Sequence, residues 1–105
     1  MPAYMIFTRE GPVRDEAEMA QYAAKNQAAA AIYVDKFGLK PLAFYGKQHV
    51  IECASPEDKG PDGIVIIEFP DAVTARAWYD SAEYQDALQH RLKGATYRCA
   101  IVDSV

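Results

Sequence analysis

The stretch Ile64-Val65-Ile66-Ile67-Glu68-Phe69, followed at once by Pro70-Asp71, decides the fold. Such a nearly continuous apolar run is what a central strand covered on both faces requires. Proline cannot extend the ladder, and Asp71 is placed to cap a helix with Ala72 to Tyr79 as its body. Ser81 then caps a second, shorter helix from Ala82 to about Leu92, which Gly94 closes. Tyr84, Leu88 and Arg91 fall on one side of that helix. The chain ends in a strand, Ala95 to Asp103, where Tyr97, Cys99 and Ile101 alternate with Thr96, Arg98, Ala100 and Val102.

Upstream of the central strand, Ala54 to Gly63 has the Ser, Pro, Gly and acidic composition of a loop. Leu42 to Tyr45 and Gln48 to Glu52 read as one strand interrupted at Gly46, where a lone glycine predicts a bulge or bend. Before it stands the clearest helix start of the chain. Asp15 supplies the N-cap and Glu18, three residues on, completes a capping box. The alanine-rich body runs to Phe37, Gly38 ends it in the left-handed conformation, and Pro41 prevents a restart. Met19, Tyr22, Asn26, Ala29 and Tyr33 recur in steps of three and four as the expected buried face. Ala3 to Thr8, with Tyr4, Met5, Ile6 and Phe7, is the first strand.

The order is therefore βαββαβ, with the second helical region broken in two. The chain has 105 residues, one domain's worth, half of them hydrophobic and 25% charged. A split βαβ pair of this size folds as an α+β domain: a four-stranded antiparallel sheet with the helices on one face, the ferredoxin-like arrangement. Strands one, three and four carry large apolar residues on both faces. The helix-free face would be a sticky patch unless a second subunit covers it, so a homodimer is expected.

Eleven basic against fifteen acidic residues give a net charge of −4, and Lys and Arg are scattered singly. Nucleic acid is an unsuitable partner for such a surface. No charged-then-apolar leader precedes the first strand, and the longest uncharged run, Asn26 to Val34, is too short for a bilayer. The reading is a cytoplasmic protein with no membrane contact. Cys53 and Cys99 form no CxxC pattern and are expected to be small buried hydrophobes. His49 and His90 are too separated for zinc, so no metal is expected.

The segment Ile66-Ile67-Glu68-Phe69-Pro70, then Ala75-Arg76-Ala77-Trp78-Tyr79-Asp80-Ser81 with Glu83-Tyr84, then His90-Arg91, resembles the DUF1330 proteins. Tyr4-Met5-Ile6-Phe7 and the bend Leu42-Ala43-Phe44-Tyr45-Gly46 fit the same family, so the resemblance covers essentially the whole chain. It implies a dimeric α/β barrel, two ferredoxin-like sheets packed face to face. Many relatives carry Gly-Gly-Arg at the bend, where this chain has Tyr45-Gly46-Lys47. A lysine there is a point charge and not a bidentate fork, which weakens any anion-binding role at that position.

The break between the two halves of the second helix is bracketed by Trp78, Tyr79 and Tyr84. They serve as core packing with hydrogen-bonded polar tips, or as aromatic walls of a pocket with Asp80 and Ser81 at its mouth. Tyr22, Asn26, Tyr33, Trp78, Asp80 and Arg91 are the candidate binding residues. His90, near neutrality in its ordinary pKa, is a candidate acid or base. Arg91 also suits the negative end of its helix. Glu68 is the one charge in the central strand. It must be exposed, paired with a cation such as Arg98, or neutral, and it is the candidate general base. Other dimeric α/β barrels that the chain resembles include isomerases and cofactor-free monooxygenases. The functional expectation is a homodimer that binds or transforms a small carbonyl or phenolic molecule without metal or nucleotide cofactor. The alternative is a non-catalytic small-molecule binder or a dimeric assembly module. With no glycine-rich phosphate loop and no nucleophile motif, kinase, dehydrogenase and hydrolase chemistry fall away.

Overall fold

The computed structural model describes residues 1–105. The elements follow the order β1 (Ala3–Arg9), α1 (Glu16–Phe37), β2 (Lys40–Phe44), β3 (Gly63–Phe69), α2 (Ala72–Tyr79), α3 (Ala82–Gly94) and β4 (Tyr97–Asp103). The four strands form one open antiparallel sheet in the order β2-β3-β1-β4. The helices cover one face. This is the α+β, ferredoxin-like architecture that the element order predicts. No helix is long and apolar enough to cross a membrane.

Strand register divides the side chains cleanly. Met5 pairs with Ile67 and Ile101, and Phe7 with Val65 and Cys99, on the helix-covered face. Ile6 pairs with Ile66 and Ala100 on the other. The core lies under the helices, where Met5, Phe7, Val65, Ile67 and Phe69 meet Tyr33, Trp78, Tyr84 and Leu88. Trp78 is its hub. Its ring lies 4.1 Å from that of Tyr84, 5.4 Å from Phe69 and 5.6 Å, edge-on, from Tyr33.

The caps form largely as read. Asp15 accepts from the Glu18 N–H, Asp71 from Thr74 and Ser81 from Tyr84, while Gly38 adopts a left-handed φ of 64°. The reciprocal half of the capping box does not form. Glu18 turns instead to His90 Nδ1 at 2.6 Å, and the Asp15 N–H donates to the Gly94 carbonyl. Gly94 is the last residue of α3, with no left-handed turn of its own; the cap is Ala95. The glycine is there for close approach, since a Cβ would meet Met19 Cγ at 2.7 Å.

Three other expectations are corrected. The chain does not resume as a strand over Gln48–Glu52: β2 ends at Phe44 and irregular backbone runs from there to Asp62. The reason is geometric, because β3 starts at Gly63 and offers nothing further to pair with once Tyr45 N–H has donated to the Ile64 carbonyl. The irregularity within β2 sits between Pro41 and Ala43, and Tyr45, not Gly46, takes the positive φ, 53°. Neither cysteine is buried. Cys53 lies in the irregular segment, and Cys99 stands on β4, a free edge of the sheet, with its thiol donating to Met5 Sδ at 3.2 Å. Partial desolvation of that thiol against Met5 still pushes its pKa up.

Candidate functional site

The predicted face of α1 is only partly buried. Ala29 and Tyr33 pack fully, whereas Met19, Tyr22 and Asn26 do not. Helix α1 packs mainly on α3 and stands off the sheet. The space left is a cavity of about 630 Å³. Its floor is the sheet, through Phe7, Arg9, Val65, Ile67 and Tyr97; α1 contributes Tyr22, Asn26, Ala30 and Tyr33 from above. Trp78 closes one side, and Pro41, Phe44 and Tyr45 from the β2 edge close another. The volume is in the range of small-molecule sites, and no carboxylate or imidazole lies on its wall.

The tyrosine hydroxyls on this wall are partnered. Tyr33 donates to Asn26 Oδ1 at 3.0 Å, Tyr22 and Tyr84 share a hydrogen bond at 2.9 Å, and Tyr45 and Tyr97 share one at 2.6 Å. Burial disfavours their ionised forms. It pushes Tyr33 up to about 12, and raises Tyr22, Tyr45 and Tyr84. The last pair forms an end wall. Gly63, Arg9 and Tyr97 are neighbours across three strands, and Tyr45 lies over that row. A Cβ on Gly63 would meet Tyr45 Cδ1 at 2.8 Å, so the glycine is what admits the ring.

The donors on and behind the wall are another matter. Trp78, 2% exposed, has its indole N–H buried without an acceptor, and Arg9 Nε is in the same condition. The expectation that core aromatic tips are all hydrogen-bonded holds for Tyr84 and fails for Trp78. Arg91, 4% exposed, is the one fully buried charged residue. Its guanidinium carbon lies 4.8 Å from the Tyr97 ring, 5.5 Å from Phe7 and 5.9 Å from Tyr22, three rings of the cavity wall. Burial works against its charge and the Tyr84 and Tyr22 oxygens work for it; the net direction is upward, so it stays a cation.

Of the residues singled out from sequence, Tyr22, Asn26, Tyr33 and Trp78 come together on this wall, with Arg91 against its rings. The other three lie elsewhere. Asp80 is exposed and paired with Arg76 at 2.9 Å. His90 binds Glu18 between α1 and α3, with its Nε2 buried and unpartnered. Glu68 is on the helix-free face, beside Tyr4 and Lys40 on adjacent strands. Arg98 is at the far end of the sheet, opposite Thr8, and reaches Glu10 at 3.4 Å, so it is not the partner of Glu68. A shallower groove of about 400 Å³ on that face is lined by Ile64, Ile66 and the segment Gly46 to Glu52, including the exposed His49. Sequence reading missed Arg9, Phe44 and Tyr45 as wall residues. The alternation of Tyr97 with Cys99 and Ile101 gave the signal for Tyr97. No group of three or more His, Cys, Asp or Glu side chains is arranged to hold a metal ion.

Fold and cavity define a ferredoxin-like α+β protein with an aromatic chamber between helix and sheet. The chain belongs to the DUF1330 family, a domain of unknown function, whose profile matches residues 2–105. Among solved structures it is similar to a protein of unknown function from Rhodopseudomonas palustris, at 17% identity and a TM-score of 0.70 over 99% of this chain and 82% of that one. A dimeric ferredoxin-like protein of unknown function from Jannaschia matches at 12% identity, TM-score 0.63, over 99% and 100%. SnoaB, a cofactor-independent oxygenase from Streptomyces nogalater, matches at 11% identity, TM-score 0.51, over 99% and 91%. At these identities the likeness is one of fold. No curated protein matches the chain.

Proposed function

We propose that this protein is a homodimer that binds a small ring compound carrying a carbonyl or phenolic oxygen in the chamber between α1 and the sheet. The observation that carries this reading is the wall itself: aromatic and apolar, with Arg9 as its one charged residue. A hydrogen bond to a charged group is worth about 1.5–3 kcal/mol, which a carbonyl or phenolic oxygen would gain against the Arg9 guanidinium. Stabilising a developing oxyanion on such a compound is what isomerases and cofactor-free oxygenases need, and the likeness in fold to SnoaB is in keeping with it. The lack of a carboxylate or imidazole on the wall favours a second reading, a binder without turnover. The dimeric relatives support the homodimer.

Trp78 is the chain's sole tryptophan, so its fluorescence reports on the wall directly. Titration with naphthoquinone or naphthol should give a saturable change at one equivalent per chain. Ala30→Phe, which fills the chamber from an exposed position on α1, should abolish it. A linear, unsaturable change in the parent protein would reject the reading. If the bound compound is consumed in air, the protein is an enzyme; if it is recovered intact, the binder reading stands.

A further inference from the structure

A buried guanidinium normally has a carboxylate beside it, because an unpaired ion in the interior costs several kcal/mol. Arg91 has none. The ion pairs of the chain are Lys25–Asp86, Arg76–Asp80, His90–Glu18 and Arg98–Glu10, and Arg91 Nε is buried with no hydrogen-bond partner. What surrounds it is Tyr97, Phe7 and Tyr22, whose ring faces offset part of the cost as cation–π contacts. All three rings also face the chamber. A second cation, Arg9, is the strand neighbour of Tyr97 and lies on the wall itself, with Nε unpartnered and only a terminal nitrogen bonded, to the Asp62 carbonyl at 3.2 Å. Two arginines thus flank one tyrosine at the floor of a chamber that holds no acidic residue.

We propose that Arg9 on the wall, backed by the unpaired charge of Arg91 behind the Phe7, Tyr22 and Tyr97 rings, makes this chamber an anion site, and that the ligand is a ring compound bearing a carboxylate. The inference rests on the chamber being a ligand site and adds the charge of what it takes. A carboxylate matches the planar fork of the Arg9 guanidinium, and its charge is favoured by the uncompensated Arg91 cation behind the wall. The apolar rings of the wall hold the ligand's ring, while the arginines discriminate between an acid and its neutral isostere.

Calorimetric titration with naphthoate and with naphthamide separates the two claims, because both compounds have a ring and a carbonyl and only one has a charge. Naphthoate should bind at least about tenfold more tightly near neutral pH, as expected for a charged hydrogen-bond partner. Its affinity should fall with added salt while that of naphthamide holds. Arg91→Gln should bring the two within about twofold by weakening naphthoate alone, since it removes the unpaired charge behind the wall and leaves the wall's own groups in place. Arg9→Gln, on the wall itself, should narrow the gap to a similar extent, and it serves if the Arg91 variant does not fold. Equal binding of acid and amide, with no salt dependence, would overturn the anion subsite and leave the chamber standing. Failure of both compounds to bind would overturn the chamber reading and this proposal with it.

Discussion

Trp78 shows how one side chain serves the core and the cavity wall together. Its ring is held by Tyr33, Phe69 and Tyr84, while its N–H is buried without an acceptor. The tyrosines around it carry a pH consequence. Tyr33 goes from its ordinary 10.0 to about 12, and Tyr22, Tyr45 and Tyr84 move in the same direction, chiefly through burial. A phenol whose folded-state pKa is raised keeps its proton where the unfolded chain has lost it. Its contribution to stability is therefore fully present below about 10 and is lost as pH rises toward about 12. Stability measured by denaturant should be flat toward pH 10 and fall steeply above it. The phenolate absorbance of these four residues should appear together with unfolding. Smooth ionisation of all the tyrosines near pH 10 in the folded protein would contradict the burial described.

Between elements, the contact that sets the chamber is the one joining the start of α1 to the end of α3. The N–H groups of Arg14 and Asp15 both donate to the Gly94 carbonyl, and Met19 lies where a Gly94 side chain would be. Alanine is the better helix former by about 1 kcal/mol. Yet its Cβ would sit 2.7 Å from Met19 Cγ and 3.2 Å from the Asp15 carbonyl oxygen, which is backbone and cannot swing away. Gly94→Ala should therefore destabilise the protein, by about 1–3 kcal/mol as overpacking does, despite the gain in propensity; a rise in melting temperature would show that α1 can shift freely. The sequence read this glycine as a helix stop because local rules see only its own element. The same limit explains what else was legible. The strand Ile64 to Phe69, the caps at Asp15, Asp71 and Ser81, and the run from Tyr22 to Tyr33 follow from local pattern. The Arg91 cage, the turn of Glu18 toward His90 and the position of Tyr45 over Gly63 are contacts between distant segments, which periodicity does not encode. Glu68 was read as a candidate base from its isolation in an apolar strand, but the two-residue period of that strand puts it on the face away from the chamber.

At the scale of the whole molecule the chain is a slab of 43 × 38 × 20 Å whose radius of gyration, 14.2 Å, exceeds the roughly 13 Å of a compact chain this long. One broad face has no helix over it. Across its middle run Ala43, Ile66, Ile6 and Ala100, neighbours on the four strands, with Ile64 and Val102 beside them. The segment after β2 adds Ile51, 92% exposed, beside Ile64 and Ile66. An apolar face of this kind asks for a partner, and relatives of the same fold are dimeric. Ile66→Lys places a charge at the centre of that row, on the face opposite the chamber, where an isolated chain can still hydrate it. The parent protein should sediment as a dimer at micromolar concentration and this variant as a folded monomer with the parent's circular dichroism. The chamber wall is built from one chain and lies under the helices, so the monomer should keep its affinity for naphthamide to within about threefold, less than the tenfold that 1.4 kcal/mol would make. A variant that stays dimeric would move the interface off this face. A monomer that loses naphthamide would mean that the second subunit completes the site, with Phe44 and Tyr45 at the β2 edge as the residues through which it would do so.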